Sequence, residues 1–240
     1  MPNYNQAQFP RHLEILVTNG KLAEVQAIIG PIGYDTAALE AGQTLLQSWL
    51  ELANGAKVLL AAQMQATQNS QATCQAAQAE LSQLGQTVRI LFGADETVLT
   101  ALGLRSRRRS AAGTTPDSEA APDNHNNSYW SQGNLAEKIA RWRRLLTNLP
   151  SLAAAQQGEL AQFGWGAERL AAANALVEAC AAAHTGQKQK IQAYRAAAAA
   201  AQTAEVTVRE WYQQAARRTR LALQQVDPDN QAHLRGLLGL

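Results

Sequence analysis

Two long segments of the chain carry apolar residues at the spacing of a coiled-coil seam. With Leu39 taken as heptad position a, twelve of the sixteen a and d positions between residues 33 and 92 are apolar. The same register moved on by 131 residues starts at Leu170 and again gives twelve of sixteen. A register that persists over such a length is typical of helices that pack along a seam. The pattern therefore predicts two long amphipathic helices.

The prolines show where those helices can lie. They leave two proline-free runs, 32–115 and 151–227, and a proline inside a helix would remove a hydrogen bond and clash with the preceding turn. We predict unbroken helices of roughly 58 residues, about 87 Å long at 1.5 Å per residue. The alternative is a hairpin broken near 68–73 and 199–204. The long helix is favoured because the alanine run at 196–201 is a strong helix former and not a turn signal.

Each long segment opens with a glycine followed by an aromatic residue. The pairs are Gly33 with Tyr34 and Gly164 with Trp165. Glycine can adopt the left-handed conformation that ends one helix, and the aromatic ring can pack at the start of the next. We predict a structural corner between a short and a long helix at both places.

The two segments also align with each other. At an offset of 131, residues 33–92 and 164–223 share 11 identities in 60 without a gap, and the tripeptide LGL closes both halves at 102–104 and 238–240. We interpret this as a tandem duplication with insertions in loops. The predicted organisation is a first helical repeat at 1–104, a polar basic linker at 105–130 and a second helical repeat at 131–240.

These patterns together predict an all-α fold: an elongated, coiled-coil-like antiparallel helical bundle with an internal duplication. The composition agrees, because alanine and glutamine are abundant and aromatic residues make up only 5% of the chain. Such a composition suits a thin core between closely packed helices.

Charge and cysteine usage narrow the class of protein further. The formal net charge of +2 is near balance, which argues against a dedicated polyanion binder. Cys74 and Cys180 lack a CxxC or metal-ligand spacing, so we expect small core residues and no disulfide. Without a signal-peptide pattern or a run of 18 apolar residues, the default expectation is the cytoplasm, with export by a non-classical route left open.

The sequence contains no pattern typical of a catalytic, cofactor or metal site. His12, His125, His184 and His233 fall in separate elements outside any HExxH pattern, and GxSxG, GxxxxGK[ST] and GxGxxG do not occur. We expect His184 to be a hydrogen-bonded or partly solvated seam residue. We expect Glu205 to be a paired or snorkelling surface glutamate, the alternative being a buried carboxylate with a raised pKa. No enzyme activity, cofactor or metal is predicted.

Arginines form three clusters that could contact a partner. One interpretation is contact with phosphates or an anionic surface, with Trp142 available to stack. The other is that the arginines face solvent or pair with carboxylates of a neighbouring subunit. The clusters consist of Arg105, Arg107, Arg108 and Arg109; Arg141, Arg143 and Arg144; and Arg217, Arg218 and Arg220.

With LGLRSRRRS at 102–110, FGWGAERL at 163–170 and the terminal LGL, the chain resembles a group of uncharacterised bacterial proteins. Those proteins are duplicated, alanine-rich and all-helical, with a basic junction before the second half and a glycine corner within it. The chain departs from them at 110–130, which looks like an insertion. The resemblance implies an architecture and no activity.

The function expected from these features is structural and non-enzymatic. A rod-like helical subunit would self-associate into a scaffold, fibre or tube, since a repeated surface makes head-to-tail contact easy. One alternative is a binding module that contacts nucleic acid or an anionic membrane through its arginines. Another is a ligand carrier or enzyme with a pocket in the seam near Tyr194 and His184.

Overall fold

A computed structural model of the chain describes residues 8–104 and 134–240. Within these ranges every regular element is a helix, and the predicted all-α class is confirmed. The α-helices are α1 (Phe9–Asn19), α2 (Ala23–Ile29), α3 (Thr36–Phe92), α4 (Glu96–Ala101), α5 (Leu135–Asn148), α6 (Ala154–Gln162), α7 (Ala167–Leu223) and α8 (Pro228–Leu238). Short 3-10 helices follow α2 at Gly30–Ile32 and α5 at Leu149–Ser151.

The two long helices, α3 and α7, are unbroken and 57 residues long each. The predicted long helices are therefore confirmed over the hairpin alternative. The segment at 196–201 consists of alanine alone. Of all residues, alanine has the lowest free-energy cost of entering a helix, so this segment has no tendency to form a turn.

The order of helices is the same in the two halves of the sequence. Two short helices come first, then a long one, then a short one: α1 to α4 in the first half and α5 to α8 in the second. Each half ends at a left-handed glycine within its LGL tripeptide, Gly103 at φ 74° and Gly239 at φ 64°.

The compact units of the molecule do not coincide with these sequence repeats. Unit 1 combines Met1–Gln63 with Lys190–Leu240, and unit 2 is Met64–Gln189. Each unit thus contains, from one repeat, the two short helices that come first and the first part of the long helix that follows them. The last part of the long helix and the final short helix come from the other repeat.

The core of unit 1 lies where α1, α2 and α8 cover α3 and α7. Apolar side chains from all five helices are buried in one cluster, among them Leu13 of α1, Ile29 of α2 and Leu238 of α8. Aromatic rings strengthen it: the Phe9 ring lies 5.5 Å from that of Tyr212 and 5.8 Å from that of Trp49. Aromatic pairs at such distances add roughly 0.5–1.5 kcal/mol to the burial of their area.

The core of unit 2 is built in the same way by α4, α5 and α6 against α3 and α7. Trp142 of α5 is only 1% exposed and packs there beside Ile139 and Leu145. The expectation that Trp142 is available for stacking is wrong. Residues spaced by three share a helix face, and this face is turned to the core.

Unit 2 also contains a disulfide between Cys74 of α3 and Cys180 of α7. The expectation that the cysteines form no disulfide is wrong. The expectation that both lie in the core is confirmed, because both are buried. The helices run antiparallel here, because Trp165 meets Thr87 and Gln187 meets Thr67. That arrangement brings together two cysteines 106 residues apart in the chain.

Candidate interaction surface

The corner before α7 is held by Trp165 in unit 2. Gly164 takes the left-handed conformation, φ 82°, and the Trp165 backbone N–H donates to the Leu160 carbonyl at 2.9 Å. The Trp165 ring is 2% exposed, and its Nε1 donates to Thr87 Oγ1 of α3 at 3.1 Å. The ring thus ties the start of α7 to the opposing helix.

Arg169 covers the outer face of the Trp165 ring. Its guanidinium carbon lies 3.8 Å from the ring centroid, and its Nε donates to Glu80 Oε1 at 2.6 Å. A second donor of the same guanidinium, Nη2, reaches Gln83 Oε1 at 2.8 Å. Through the cation–π contact and the ion pair, the Arg169 side chain covers this corner with polar groups.

The corner before α3 in unit 1 has the same backbone and a different covering. Gly33 takes φ 91°, and the Tyr34 N–H donates to the Ile29 carbonyl at 3.1 Å. The Tyr34 ring meets Trp211 edge to face at 5.9 Å, and a Cβ atom added at Gly42 would overlap that indole ring. Burial raises the pKa of the Tyr34 phenol, and the nearby Arg218 partly offsets the shift.

The 131-residue offset makes the two corners directly comparable, because Trp211 stands at the position of Glu80 and Ala38 at that of Arg169. One corner is therefore closed by an aromatic pair and the other by an ion pair over an indole. The shared backbone supports two different surfaces.

The arginine clusters are divided among different environments. The cluster Arg105, Arg107, Arg108 and Arg109 lies outside the described residues. Of the α5 cluster, Arg141 donates to the Glu137 carbonyl at 3.3 Å, and the stem of Arg144 lies against Gly103. In α7, Arg217 and Arg218 are exposed and Arg220 is half-buried. The structure does not bring the described arginines of unit 2 into one anion site.

Arg143 has a carboxylate partner within unit 2. Its Nε and Nη2 donate to Glu178 Oε1 and Oε2 at 2.8 and 2.6 Å. This hydrogen bond lowers the pKa of the Glu178 carboxyl below its ordinary value. Since the pair is intramolecular, Arg143 is less available to a phosphate than the sequence alone indicates.

A cavity lies in the seam of unit 1, near Tyr194, one of the two positions where the sequence placed a candidate pocket. Its volume is about 290 Å³, and it is largely open to solvent. We call it the seam pocket. Its lining consists of Trp49, Ala53, Ala56, Lys57, Leu60, Tyr194, Ala198, Ala201, Gln202 and Glu205.

The seam pocket exists because small residues face one another across the two helices. Ala53, Ala56, Ala198 and Ala201 occupy a and d positions where a larger side chain would fill the seam. Glu205 at its edge is paired with Arg209 at 2.7 Å, as expected for a surface glutamate. The alanines at successive seam positions of both helices are the sequence feature that points to a pocket. Its size depends on the distance between the helices, which the sequence does not give.

The corresponding seam of unit 2 is cross-linked by the disulfide. The repeat offset puts Cys180 at the position of Trp49 and Cys74 at that of Glu205. Gln187 donates to Thr67 Oγ1 at 3.3 Å across the same seam. His184 is half-buried there, and its buried Nδ1 makes no hydrogen bond within the described part of the chain.

Large apolar side chains are exposed in the stretch of α3 that carries the seam pocket, where Leu60 is part of the lining. Leu50, Leu52, Val58 and Leu60 of α3 are each at least 37% exposed. The repeat-equivalent residues of α7 are Ala181, Ala183, Gln189 and Ile191. At these positions the large exposed apolar groups therefore belong to the first long helix, although α7 exposes Val206 and Leu221 elsewhere.

Phe163 is a further exposed apolar group, at the corner of unit 2. It is 58% exposed, directly before the left-handed Gly164. Its repeat equivalent, Ile32, is packed against the core of unit 1. Sequence reasoning placed FGWG at a corner and did not separate the exposed Phe163 from the buried Trp165.

Among the described residues no group of three or more His, Cys, Asp and Glu side chains is arranged to hold a metal ion. None of the described helices has the length and apolar character needed to cross a membrane. No family model, curated protein or solved structure matches the chain.

Proposed function

We propose that the protein is a non-enzymatic structural subunit that self-associates into a scaffold, fibre or tube. The observation that carries this proposal is the set of exposed leucines and valine at 50–60 of α3, beside an unfilled seam pocket. Leu60 lines the pocket and Leu50 and Leu52 flank the seam at the neighbouring heptad positions, and large apolar groups exposed together in this way are typical of interaction sites. The described residues include two helices of 57 residues each, which present side chains of this kind to solvent.

The experiment is a concentration series by light scattering after size-exclusion chromatography, with negative-stain imaging of the same fractions. The expected result is a mass that grows with concentration and discrete particles in the images. A strict monomer at high micromolar concentration would remove the proposal.

The matched variant is Leu52→Gln with Val58→Gln, which keeps the helix and removes exposed apolar area. It should shift association to higher concentration without lowering the melting temperature, because neither side chain is buried. Equal losses of stability and association would show that these residues serve the fold instead.

Ligand carriage is a second candidate function, favoured by the seam pocket. A volume of about 290 Å³ is at the lower end of the range for small-molecule sites. Ligand-detected NMR with small aromatic acids and amines would test it, since Trp49 and Tyr194 line the pocket with aromatic rings. Binding that competes with self-association would support both roles, and absence of binding across the panel would remove this one.

We also propose that the protein matures in an oxidising compartment, against the default expectation of the cytoplasm. The proposal rests on the buried disulfide between Cys74 and Cys180, since such bonds persist where thiols are not kept reduced. Acid quenching of producing cells, followed by alkylation of thiols under denaturing conditions and mass spectrometry, should label neither cysteine. Labelling of both would contradict the proposal.

A further inference from the structure

We propose that Phe163 of one chain inserts into the seam pocket of a second copy, so that unit 2 of one subunit docks on unit 1 of the next. This inference rests on the proposed self-association and names its contact.

The shapes of the two sites are complementary. Phe163 is a large ring that is 58% exposed on a rigid corner, between the end of α6 and the left-handed Gly164. The seam pocket offers a space of about 290 Å³, and its lining includes Ala53, Ala56, Ala198 and Ala201 together with the rings of Trp49 and Tyr194. A phenyl ring that enters it loses contact with water and gains aromatic neighbours.

The charges are complementary as well. Phe163 is accompanied by Glu159, which precedes it by four residues, and by Glu168 in the first turn of α7; both are exposed. Glu159 also lines a surface cavity together with Asp95 and Glu96. At the seam pocket, Lys57 forms part of the lining and Arg195 follows Tyr194; both are exposed. The opposite charges nearby are already paired within the chain, Glu205 of the lining with Arg209 and Arg169 of the corner with Glu80. Opposite charges around an apolar contact favour the correct orientation of docking.

The comparison of the two repeats supports the same pairing. Ile32, the equivalent of Phe163, is packed on its own core and cannot act as a projecting group. The seam of unit 2 at the positions equivalent to the pocket is cross-linked by Cys74 and Cys180. At these equivalent positions of the described residues, the ring projects from unit 2 and the pocket lies in unit 1, so the contact joins two different surfaces, is heterologous and can propagate from copy to copy.

The test uses two variants of the full chain. Phe163→Glu removes the projecting ring, and Gln202→Trp, at the exposed rim, covers the pocket. Each variant alone should need roughly thirty-fold higher concentration, or more, for half-association, as for the loss of an interface hot spot. A mixture of the two should form discrete one-to-one dimers, because one intact ring and one intact pocket remain.

The matched control is Ile90→Glu, another large apolar residue of unit 2, which is 78% exposed. It should associate like the unmodified chain. Circular dichroism melts check that each variant folds, and Phe163→Ser and Lys57→Trp replace a variant that does not.

A charge exchange sharpens the test. Lys57→Glu should weaken association, and adding Glu159→Lys in the same chain should restore it, because the two sites meet across copies. Failure of the second change to restore association would remove the electrostatic part of the pairing.

The remaining outcomes are separable. If the unmodified chain stays monomeric, the proposed self-association fails and this contact with it. If the unmodified chain assembles and either Phe163→Glu or Gln202→Trp assembles equally well, self-association stands and the Phe163 contact is overturned. A mixture of two folded monomeric variants that forms no dimer overturns it too.

Discussion

Units 1 and 2 place the same long-helix positions in contact and give them different chemistry. At the positions where unit 2 has the disulfide between Cys74 and Cys180, unit 1 has Glu205 and Trp49 at the edge of an open pocket. Where unit 2 covers its corner with an ion pair at Arg169, unit 1 uses the Trp211 ring. A duplicated framework can thus keep its backbone while one unit is cross-linked at the seam and the other keeps an open pocket there.

The largest loss of stability is expected when the disulfide of unit 2 is removed by Cys74→Ala and Cys180→Ala together. The disulfide closes a separation of 106 residues, and its loss should lower the free energy of unfolding by about 4–5 kcal/mol in the chain-entropy account. Denaturant unfolding measures this, with reductant added to the unmodified chain as the parallel arm. A loss below about 1 kcal/mol in both arms would show that the bond does not constrain the unfolded chain.

The next largest loss of stability is expected at the corner of unit 2. Trp165→Ala should cost roughly 3–5 kcal/mol, because the ring is buried and Arg169 loses the surface it covers. Thermal or denaturant unfolding gives the value, and Phe163→Ala, two residues away and exposed, is the control with little expected loss. If Trp165→Ala leaves the free energy of unfolding unchanged, the Trp165 ring does not stabilise the fold.

A paired substitution compares the two seams directly. Ala77→Leu places extra volume in the cross-linked seam of unit 2 and should cost roughly 1–3 kcal/mol through overpacking. Ala198→Leu adds the same atoms beside the seam pocket of unit 1, where there is room, and should cost clearly less. Equal penalties would mean that the pocket closes in solution.

The smallest effect is expected at the exposed pair of Arg143 and Glu178. The hydrogen bond from Arg143 lowers the pKa of Glu178, so Arg143→Gln should return that pKa upward toward its ordinary value. A depressed carboxyl pKa stabilises the fold above the pKa of the unfolded chain, and this contribution is lost as pH falls through the folded value. NMR titration of Glu178 should show the upward shift; an unchanged pKa would mean the pair does not form in solution.

The framework could be predicted from the sequence because it depends on local patterns. Heptads from Leu39 and Leu170 fixed the extent of α3 and α7 to within a few residues, and the glycines before Tyr34 and Trp165 marked the corners. These signals need only one helix at a time. They say little about which residues of the two helices stand opposite each other.

What could not be predicted depends on that pairing across helices. Cys74 and Cys180 give no spacing signal, because their proximity arises only from the antiparallel register of α3 against α7. The seam pocket depends on the distance between two helices at four alanines. Trp142 could have been predicted as buried, since Ile139 and Leu145 share its helix face.

The central claim is that the open side of unit 1 receives a second copy through Phe163. Hydroxyl-radical footprinting of the unmodified chain, below and above its association concentration, tests it most directly. Oxidation of Phe163, Trp49 and Tyr194 should fall together on assembly, while the exposed Ile90 keeps its reactivity. Assembly with undiminished oxidation of Phe163 and Trp49 would contradict the claim.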